Sequence, residues 1–322
     1  MSEQPASAAS DQLDAATEST IDPAIVGAIV DAGLSPSMVA RVVGRALAED
    51  LADGEDVTTA ATIGHDQQGQ ADAVPREAGV VAGLPVAAFV FALVGRGRVD
   101  VQVHAGDGEL VRPGQALLSA RGPVRDLLTA ERTALNLLTQ LSGVATLTRI
   151  WVDAVDGTGA QIRDTRKTTP GLRALQKYAV RCGGGVNHRM SLSDAALIKD
   201  NHVAAAGSVA RALELVRAAA PGLTVEVEVD TVEQCKEAIG VGAQLILLDN
   251  MSLAEMKTCV ALAAEATPRP LLEASGGLSL GNARSVADTG VDYLAVGSLT
   301  HSATVLDVGL DLTDVLVDGS GR

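Results

Sequence analysis

Apolar positions recur at helical spacing early in the chain, at Ile25, Ile29 and Val30 and then at Val39, Val42, Val43 and Leu47. They predict two helices across residues 23–50, separated by Gly33 and Pro36. The acidic run over 49–59 reads as a solvated turn leading into an extended segment, since its carboxylates lack the spacing of a calcium loop. Strand-like pieces over 71–81, 99–103 and 115–120 alternate with glycine turns and one helix after Pro85, the make-up of a small β-rich domain. Residues 78–95 form an uncharged run of 18. Gly83-Leu84-Pro85 divides it into a short strand ending near Ala82 and a buried helix starting at Leu84 or Pro85, so it is not a membrane span. From Val124 to Val155 the stripe Leu127, Leu128, Leu135, Leu138, Leu141 and Val144 predicts one long helix, with a domain junction near 128–132.

Beyond it the pattern changes. Near-continuous apolar runs at 161–165, 195–199, 224–229, 244–249, 271–275 and 293–297 alternate with helical spacing at 203–219, 232–239, 253–264 and 281–289. Strands apolar on both faces, each followed by a helix, are parallel β/α units. Six such strands leave two architectures open, an incomplete barrel and an open doubly wound sheet.

Composition narrows the function. The 322 residues are 47% hydrophobic, but the aromatic ones are only Phe89, Phe91, Trp151, Tyr178 and Tyr293, so small aliphatic side chains fill the interior. A formal charge of −15 with so few stacking rings argues against nucleic acid, and against an anionic membrane surface. Cys182, Cys235 and Cys259 stand at no disulfide or metal-finger spacing and suit a reducing, cytoplasmic compartment. Residues 1–20 are polar, lack the basic-then-apolar order of a secretory signal, and are expected to be a disordered tail.

Against this acidic background, residues 161–202 carry eight Lys/Arg and three Asp, a local balance of +5. Charge segregated in this way points to a focused pocket for a small polyanion. Each predicted strand also ends in polar residues: Arg166 and Lys167 after the first, Lys199, Glu228 and Asp249 at the next three, Ser275-Gly276-Gly277 at the fifth and Gly297-Ser298 at the sixth. In β/α barrels that rim hosts the active site, and the last loops cradle phosphate. Glu226 and Glu228 share one strand face and need cations or a metal; Arg163 or Lys199 could pair with them, and with phosphates nearby Mg²⁺ is the metal expected. His188 and His202 have no partner at zinc spacing. Arg166, Lys167, Arg189 and Lys199, with His188 beside them, want a multiply anionic ligand, such as a dicarboxylate together with a pyrophosphorylated sugar.

These residues resemble the quinolinate phosphoribosyltransferases. The resemblance rests on Glu131-Arg132-Thr133-Ala134-Leu135-Asn136, Asp164-Thr165-Arg166-Lys167-Thr168, Pro170-Gly171-Leu172-Arg173, Gly183-Gly184-Gly185-Val186-Asn187-His188-Arg189, Lys199-Asp200-Asn201-His202, Glu226-Val227-Glu228-Val229, Leu248-Asp249-Asn250 and Glu273-Ala274-Ser275-Gly276-Gly277, in order along the chain. It implies an N-terminal open α/β sandwich over 21–131, onto which 303–322 packs back, and a C-terminal open β/α barrel of six to seven parallel strands over 132–302. It implies a homodimer in which Arg132 from the neighbouring subunit joins Arg166, His188, Arg189 and Lys199 around the two quinolinate carboxylates. Lys167 and Lys199 would approach the pyrophosphate, Glu228 and Asp249 the ribose and Mg²⁺, and Ser275, Gly276, Gly277, Gly297, Ser298 and His301 the 5-phosphate region. Ser191 stands where glycine is common in relatives. The activity implied is conversion of quinolinate and 5-phosphoribosyl 1-pyrophosphate to nicotinate mononucleotide, pyrophosphate and CO₂, in NAD biosynthesis. The alternatives are transfer of phosphoribose to another acceptor, such as nicotinate, and a catalytically silent phosphosugar-binding protein.

Overall fold

A computed structural model describes residues 21–52 and 54–316; the expected tail, residues 1–20, lies outside them. The described strands are β1 (Gln68–Pro75), β2 (Gly79–Val80), β3 (Asp100–Val103), β4 (Leu110–Val111), β5 (Leu118–Pro123), β6 (Gln161–Arg163), β7 (Ala196–Ile198), β8 (Val225–Val229), β9 (Leu245–Asp249), β10 (Leu271–Ser275), β11 (Tyr293–Ala295) and β12 (Val308–Leu316). They fall into two compact units. The first comprises the chain through Thr146 with Ala174–Cys182 and the segment from Thr304; the second comprises Leu147–Arg173 and Gly183–Ala303.

In the first unit, Asp22 and Ser35 cap the helices Pro23–Asp31 and Pro36–Leu51 by accepting the backbone N–H of Ala24 and Met38, and a proline opens each helix. The acidic run that reads as a turn before an extended segment departs from that expectation. The Asp56 carboxylate accepts the Thr59 N–H at 3.0 Å and caps a short helix, Val57–Thr62. The strand expected over 71–81 is two, β1 and β2, with Arg76 between them donating its N–H to the Asp307 carbonyl. An antiparallel sheet in the order β12-β1-β5-β3 forms around β1, and β2 pairs with β4.

The apolar helix Leu84–Gly95 is buried nearly throughout, Phe89 and Phe91 included. Gly83 before it sits at φ +101°, a conformation that costs glycine nothing. The exposed N–H groups of the helix start need an acceptor, and the Asp107 carboxylate supplies one, taking Gly83 N–H at 2.7 Å, Leu84 N–H at 3.1 Å and the Tyr178 hydroxyl at 2.6 Å. Burial pushes the Asp107 carboxyl up and, together with the Asp107 charge, the Tyr178 phenol as well.

The long helix spans Val124–Ala154, with Leu127, Leu135, Leu138, Leu141 and Val144 buried as the stripe predicts. The helix Arg173–Cys182 has no counterpart in the predicted pattern, because cations occupy the positions between its apolar residues.

In the second unit the six parallel strands run in the order β6-β11-β10-β9-β8-β7. This is barrel order opened between β6 and β7, which settles the choice between barrel and doubly wound sheet. Val186 partly covers the free edge of β6, donating its N–H to the Ile162 carbonyl and accepting from Asp164 N–H in a single parallel bridge. The helix expected over 203–219 is two, Asp200–Ala206 and Val209–Ala219, because Gly207 takes φ +95° and Ser208 caps a new start. Capping boxes from Thr231 with Gln234 and Ser252 with Glu255 open the helices Val232–Gly240 and Leu253–Glu265.

The outward strand face is uniformly apolar: Ile162, Ile198, Val227, Ile246, Leu248, Leu272, Ala274, Leu294 and Val296 are almost fully buried. The inward face carries the polar residues, so the two faces divide packing from chemistry.

Within the first unit Gly143 lies against the backbone of Thr304 and Val305, and an added Cβ would run into the Thr304 carbonyl oxygen. Gly143→Ala is expected to destabilise the protein by about 1–3 kcal/mol, the cost of overpacking a site that cannot give, read as a lower denaturation midpoint; an unchanged midpoint would show that the segment from Thr304 is free to move.

Candidate active site

Parallel strands place their C-terminal ends on one rim, and side chains two residues apart face the same way. On alternate strands β6, β8 and β10 the inward residues are Arg163, Glu226 and Glu273, followed one step nearer the rim by Thr165, Glu228 and Ser275. On β7, β9 and β11 they are Leu197, Leu247 and Ala295, followed by Lys199, Asp249 and Gly297. The rim closes around a cavity of about 780 Å³, lined by Arg166, Lys167, His188, Arg189, Lys199, Glu228, Asp249, Ser275, Gly276, Gly277, Gly297, Ser298 and His301 among others. Of the residues singled out in the sequence these line the cavity, whereas Arg132, Arg163 and Glu226 do not. Arg132 is on the helix Val124–Ala154, in the first unit, with its side chain 62% exposed and 3.7 Å from the Glu131 carboxylate.

One wall is cationic. Arg166 and Arg189 each bury a guanidinium Nε that has no hydrogen-bond partner among the described residues. Burial, and then the charge of Arg166, lower the proton affinity of the Arg189 guanidinium, while Glu226 and Asp194 act in the opposite sense. Arg189 also donates from Nη1 to the Ala195 carbonyl at 2.9 Å. The loop after it is pinned by Asp194, whose carboxylate accepts the Met190 and Ser191 N–H groups at 2.6 and 3.0 Å. Ser191 thus takes part in that turn through its backbone without requiring glycine.

Lys199 ends β7 and precedes the helix Asp200–Ala206; its ammonium is 2.5 Å from Glu228 Oε2, one of the pairings left open for the two acids of β8. Asp249 ends β9 and accepts from Asn250 Nδ2 at 2.8 Å. Asn250 in turn takes φ +54° and donates its N–H to the Ser275 carbonyl at 2.9 Å, tying the ends of β9 and β10 together. Gly276 follows at φ +87° with Asn250 Oδ1 where a Cβ would be, so this turn admits only glycine. Gly297 is enclosed by the Lys167 side chain, His301 and Thr165, each within 3.5 Å of where its Cβ would be. The Thr300 hydroxyl holds the Lys167 carbonyl at 2.8 Å, joining the loops after β6 and β11.

Beneath this rim lies an ionic layer that sequence reasoning caught only in part. Arg163 Nη1 is 2.6 Å from Glu273 Oε2 and 3.8 Å from Glu226 Oε1. His188 Nε2 is 2.9 Å from Glu226 Oε2 and 3.6 Å from Glu273 Oε1. Arg163 was one of two cations expected to meet the acids of β8; Glu273 was not singled out, although a lone acid inside the apolar run 271–275 is the same signal. Burial and the nearby Glu226 charge push the Glu273 carboxyl up to about 7.

Two acidic groupings could concern a metal. His188, Glu226 and Glu273 bring one ligand atom each within 4.8 Å of one another. Arg163 already provides a positive charge there at 2.6 Å, and Mg²⁺ prefers oxygen ligands with water retained. Glu228 and Asp249 instead line the open cavity with hard carboxylate oxygens, which fits a magnesium ion held jointly with water and phosphate.

Family models match the two halves of the chain: "Quinolinate phosphoribosyl transferase, N-terminal domain" over residues 56–142 and the corresponding C-terminal domain over 144–311. The chain is 56% identical over 269 residues to a nicotinate-nucleotide pyrophosphorylase [carboxylating] of Mycobacterium leprae, covering 83% of this chain and 95% of that one. It is 42% identical over 267 residues to a probable enzyme of the same name from Bacillus subtilis, covering 82% and 90%. Among solved structures, NadC from Streptococcus pyogenes superposes with a TM-score of 0.83 at 42% identity, covering 87% of this chain and 98% of that one. With both halves matched in order and the site residues gathered on the rim of an open barrel, the chain belongs to the quinolinate phosphoribosyltransferase family.

Proposed function

We propose that the protein transfers phosphoribose from 5-phosphoribosyl 1-pyrophosphate to quinolinate, releasing pyrophosphate and CO₂ and leaving nicotinate mononucleotide. The observation that carries the choice of acceptor is the pair of buried, unpartnered guanidinium nitrogens of Arg166 and Arg189 on one wall. An unmet buried donor is costly, and two of them suit a ligand with two carboxylates better than one with a single carboxylate. The apolar Leu197, Leu247 and Ala295 beside them suit the flat face of a pyridine ring.

On this reading the loops at Ser275, Gly276 and Gly277 and at Gly297, Ser298 and His301 hold the 5-phosphate, which puts the ribose across the rim next to Glu228 and Asp249. The bond from C1 of the ribose to the pyrophosphate oxygen breaks and leaves positive character on the sugar. Lys167 and Lys199 stabilise the departing oxygens, and the Glu228 and Asp249 carboxylates face the developing charge. The pyridine nitrogen bonds to C1. The quaternised ring then accepts the electron pair left when the adjacent carboxylate departs as CO₂, and that carbon takes up a proton. Mg²⁺, which Glu228 and Asp249 would hold through water or the substrate, supplies charge neutralisation at the pyrophosphate when bound. The site is completed by Arg132 of a second subunit in a homodimer, a reading supported by the exposure of the Arg132 side chain. A cytoplasmic location is supported by three free cysteines. No single helix among the described residues is long and apolar enough to cross a membrane.

The test of the acceptor is a turnover assay of the purified protein with the pyrophosphorylated sugar and Mg²⁺, in which quinolinate yields CO₂ and nicotinate mononucleotide while nicotinate yields none. Product from nicotinate, or from neither, overturns the dicarboxylate assignment. Lys167→Ala and Lys199→Ala are each expected to lower kcat/KM about 10²-fold or more, as loss of a preorganised charge at the leaving group should; rates within a few-fold of wild type would remove these residues from the chemistry. Arg132→Ala should be inactive alone and regain activity when mixed with Lys199→Ala, because one site of the mixed dimer is then intact. No recovery despite demonstrated subunit exchange would show that the site is not shared.

A further inference from the structure

The ionic layer beneath the cavity has a direction. The backbone N–H of Arg189 donates to His188 Nδ1 at 2.7 Å. A ring nitrogen that accepts a hydrogen bond carries no proton, so in this geometry Nε2 is the ring's donor. That nitrogen faces Glu226 Oε2 at 2.9 Å. Asp164 holds the same residue from behind, accepting the His188 N–H at 2.8 Å and the Asn187 side-chain amide at 2.6 Å. His188 therefore has both ring nitrogens committed within the protein and bridges Glu226 to the residue that bears the second guanidinium of the cationic wall.

We propose that Glu226, which does not line the cavity, is a positioning residue for the acceptor: through His188 it fixes Arg189, and so sets the affinity of the site for a second carboxylate. Electrostatics supports the geometry. Arg166 and Arg189 repel each other on the wall, and the Glu226 charge offsets that repulsion at Arg189. Glu226 is itself buried, with its side chain 3% exposed, and its position is fixed from the other side by Arg163 at 3.8 Å. The layer thus runs from Arg163 through Glu226 and His188 to Arg189, and it ends at the dicarboxylate wall, apart from the phosphate loops on β10 and β11.

This inference rests on the acceptor reading above and predicts a split between the two substrates. In Glu226→Gln the KM for quinolinate should rise about tenfold while the KM for the pyrophosphorylated sugar moves less than about twofold. Glu226→Asp, which keeps the charge, should bring the quinolinate KM back to within about threefold of wild type. A glutamate that serves only to hold the sheet together would move both constants together or lower the folded fraction without a split. Wild type turning over no quinolinate would overturn the acceptor reading itself, whereas wild type active and folded Glu226→Gln with an unchanged quinolinate KM, or with both constants raised alike, would overturn the role of Glu226. Where Glu226→Gln yields no folded protein, Glu226→Ala, which removes the charge without leaving an amide beside Arg163, decides: a quinolinate KM raised about tenfold with the sugar KM unchanged supports the positioning role, and an equal rise in both or no rise overturns it.

Discussion

Two glutamates on alternate strands of an otherwise apolar sheet, Glu226 and Glu273, must be satisfied in the interior of the barrel, and the single guanidinium of Arg163 reaches both. Burying charge without a partner is among the most expensive things a fold can do. One arginine serves two carboxylates, so the Nε2–H of His188 meets Glu226, while burial and the Glu226 charge push the Glu273 carboxyl up to about 7. Barrel interiors are ordinarily filled by layers of branched aliphatic side chains drawn from alternate strands. Here the layer from β6, β8 and β10 is ionic, and it supports the polar rim directly above it.

That arrangement explains how short strands can build a large site. Strands β6, β7 and β11 are each only three residues long, so the step from interior layer to rim is taken by the residues that follow them, Thr165 to Lys167, Lys199, and Gly297 to His301. Those residues lie outside the sheet ladder and need other restraints. The Thr300 hydroxyl on the Lys167 carbonyl, the Asn250 N–H on the Ser275 carbonyl and the Asp194 carboxylate on the loop after Arg189 supply them. Each restraint ties one strand end to another or closes a loop upon itself, which is how a rim of loops can hold charged side chains in fixed positions.

How much of this was legible in the sequence follows from the same division of faces. The outward apolar residues come in unbroken β-type runs, so all six strands and the polar residues at their ends could be located from the pattern alone. The openness of the barrel could not, because whether β6 meets β7 is decided by distant backbone, and Val186, which bridges to β6, sits in a glycine-rich stretch without strand character. Helix Arg173–Cys182 was missed since its cations at 173, 177 and 181 read as part of the charged stretch. The break at Gly207 and the short helix capped by Asp56 were missed for a local reason, in that one residue's backbone or side chain outweighed the surrounding periodicity. The role of Glu273 was hidden because a single acid in a strand says nothing about which distant cation will meet it.

The charged stretch itself divides in two once its contacts are known. Of its eight cations, Arg166, Lys167, Arg189 and Lys199 line the cavity. Arg163 lies in the layer below, Arg173 braces the loop by donating to Thr168 and the Met190 carbonyl, Lys177 is buried in the helix Arg173–Cys182, and Arg181 donates to the Ala32 carbonyl and stacks on Tyr178 in the first unit. Four cations on the cavity face the carboxylates of Glu228 and Asp249, with Lys199 already paired to Glu228 and Glu273 met from below by Arg163. The cavity of one chain is therefore much closer to neutral than the sequence balance suggests. A dicarboxylate and a pyrophosphorylated sugar bring more negative charge than this can offset, and on the proposed function the shortfall falls to a magnesium ion at Glu228 and Asp249 and to Arg132 of a second subunit. The charge balance of the single chain thus lends the proposed reading a support that does not depend on resemblance.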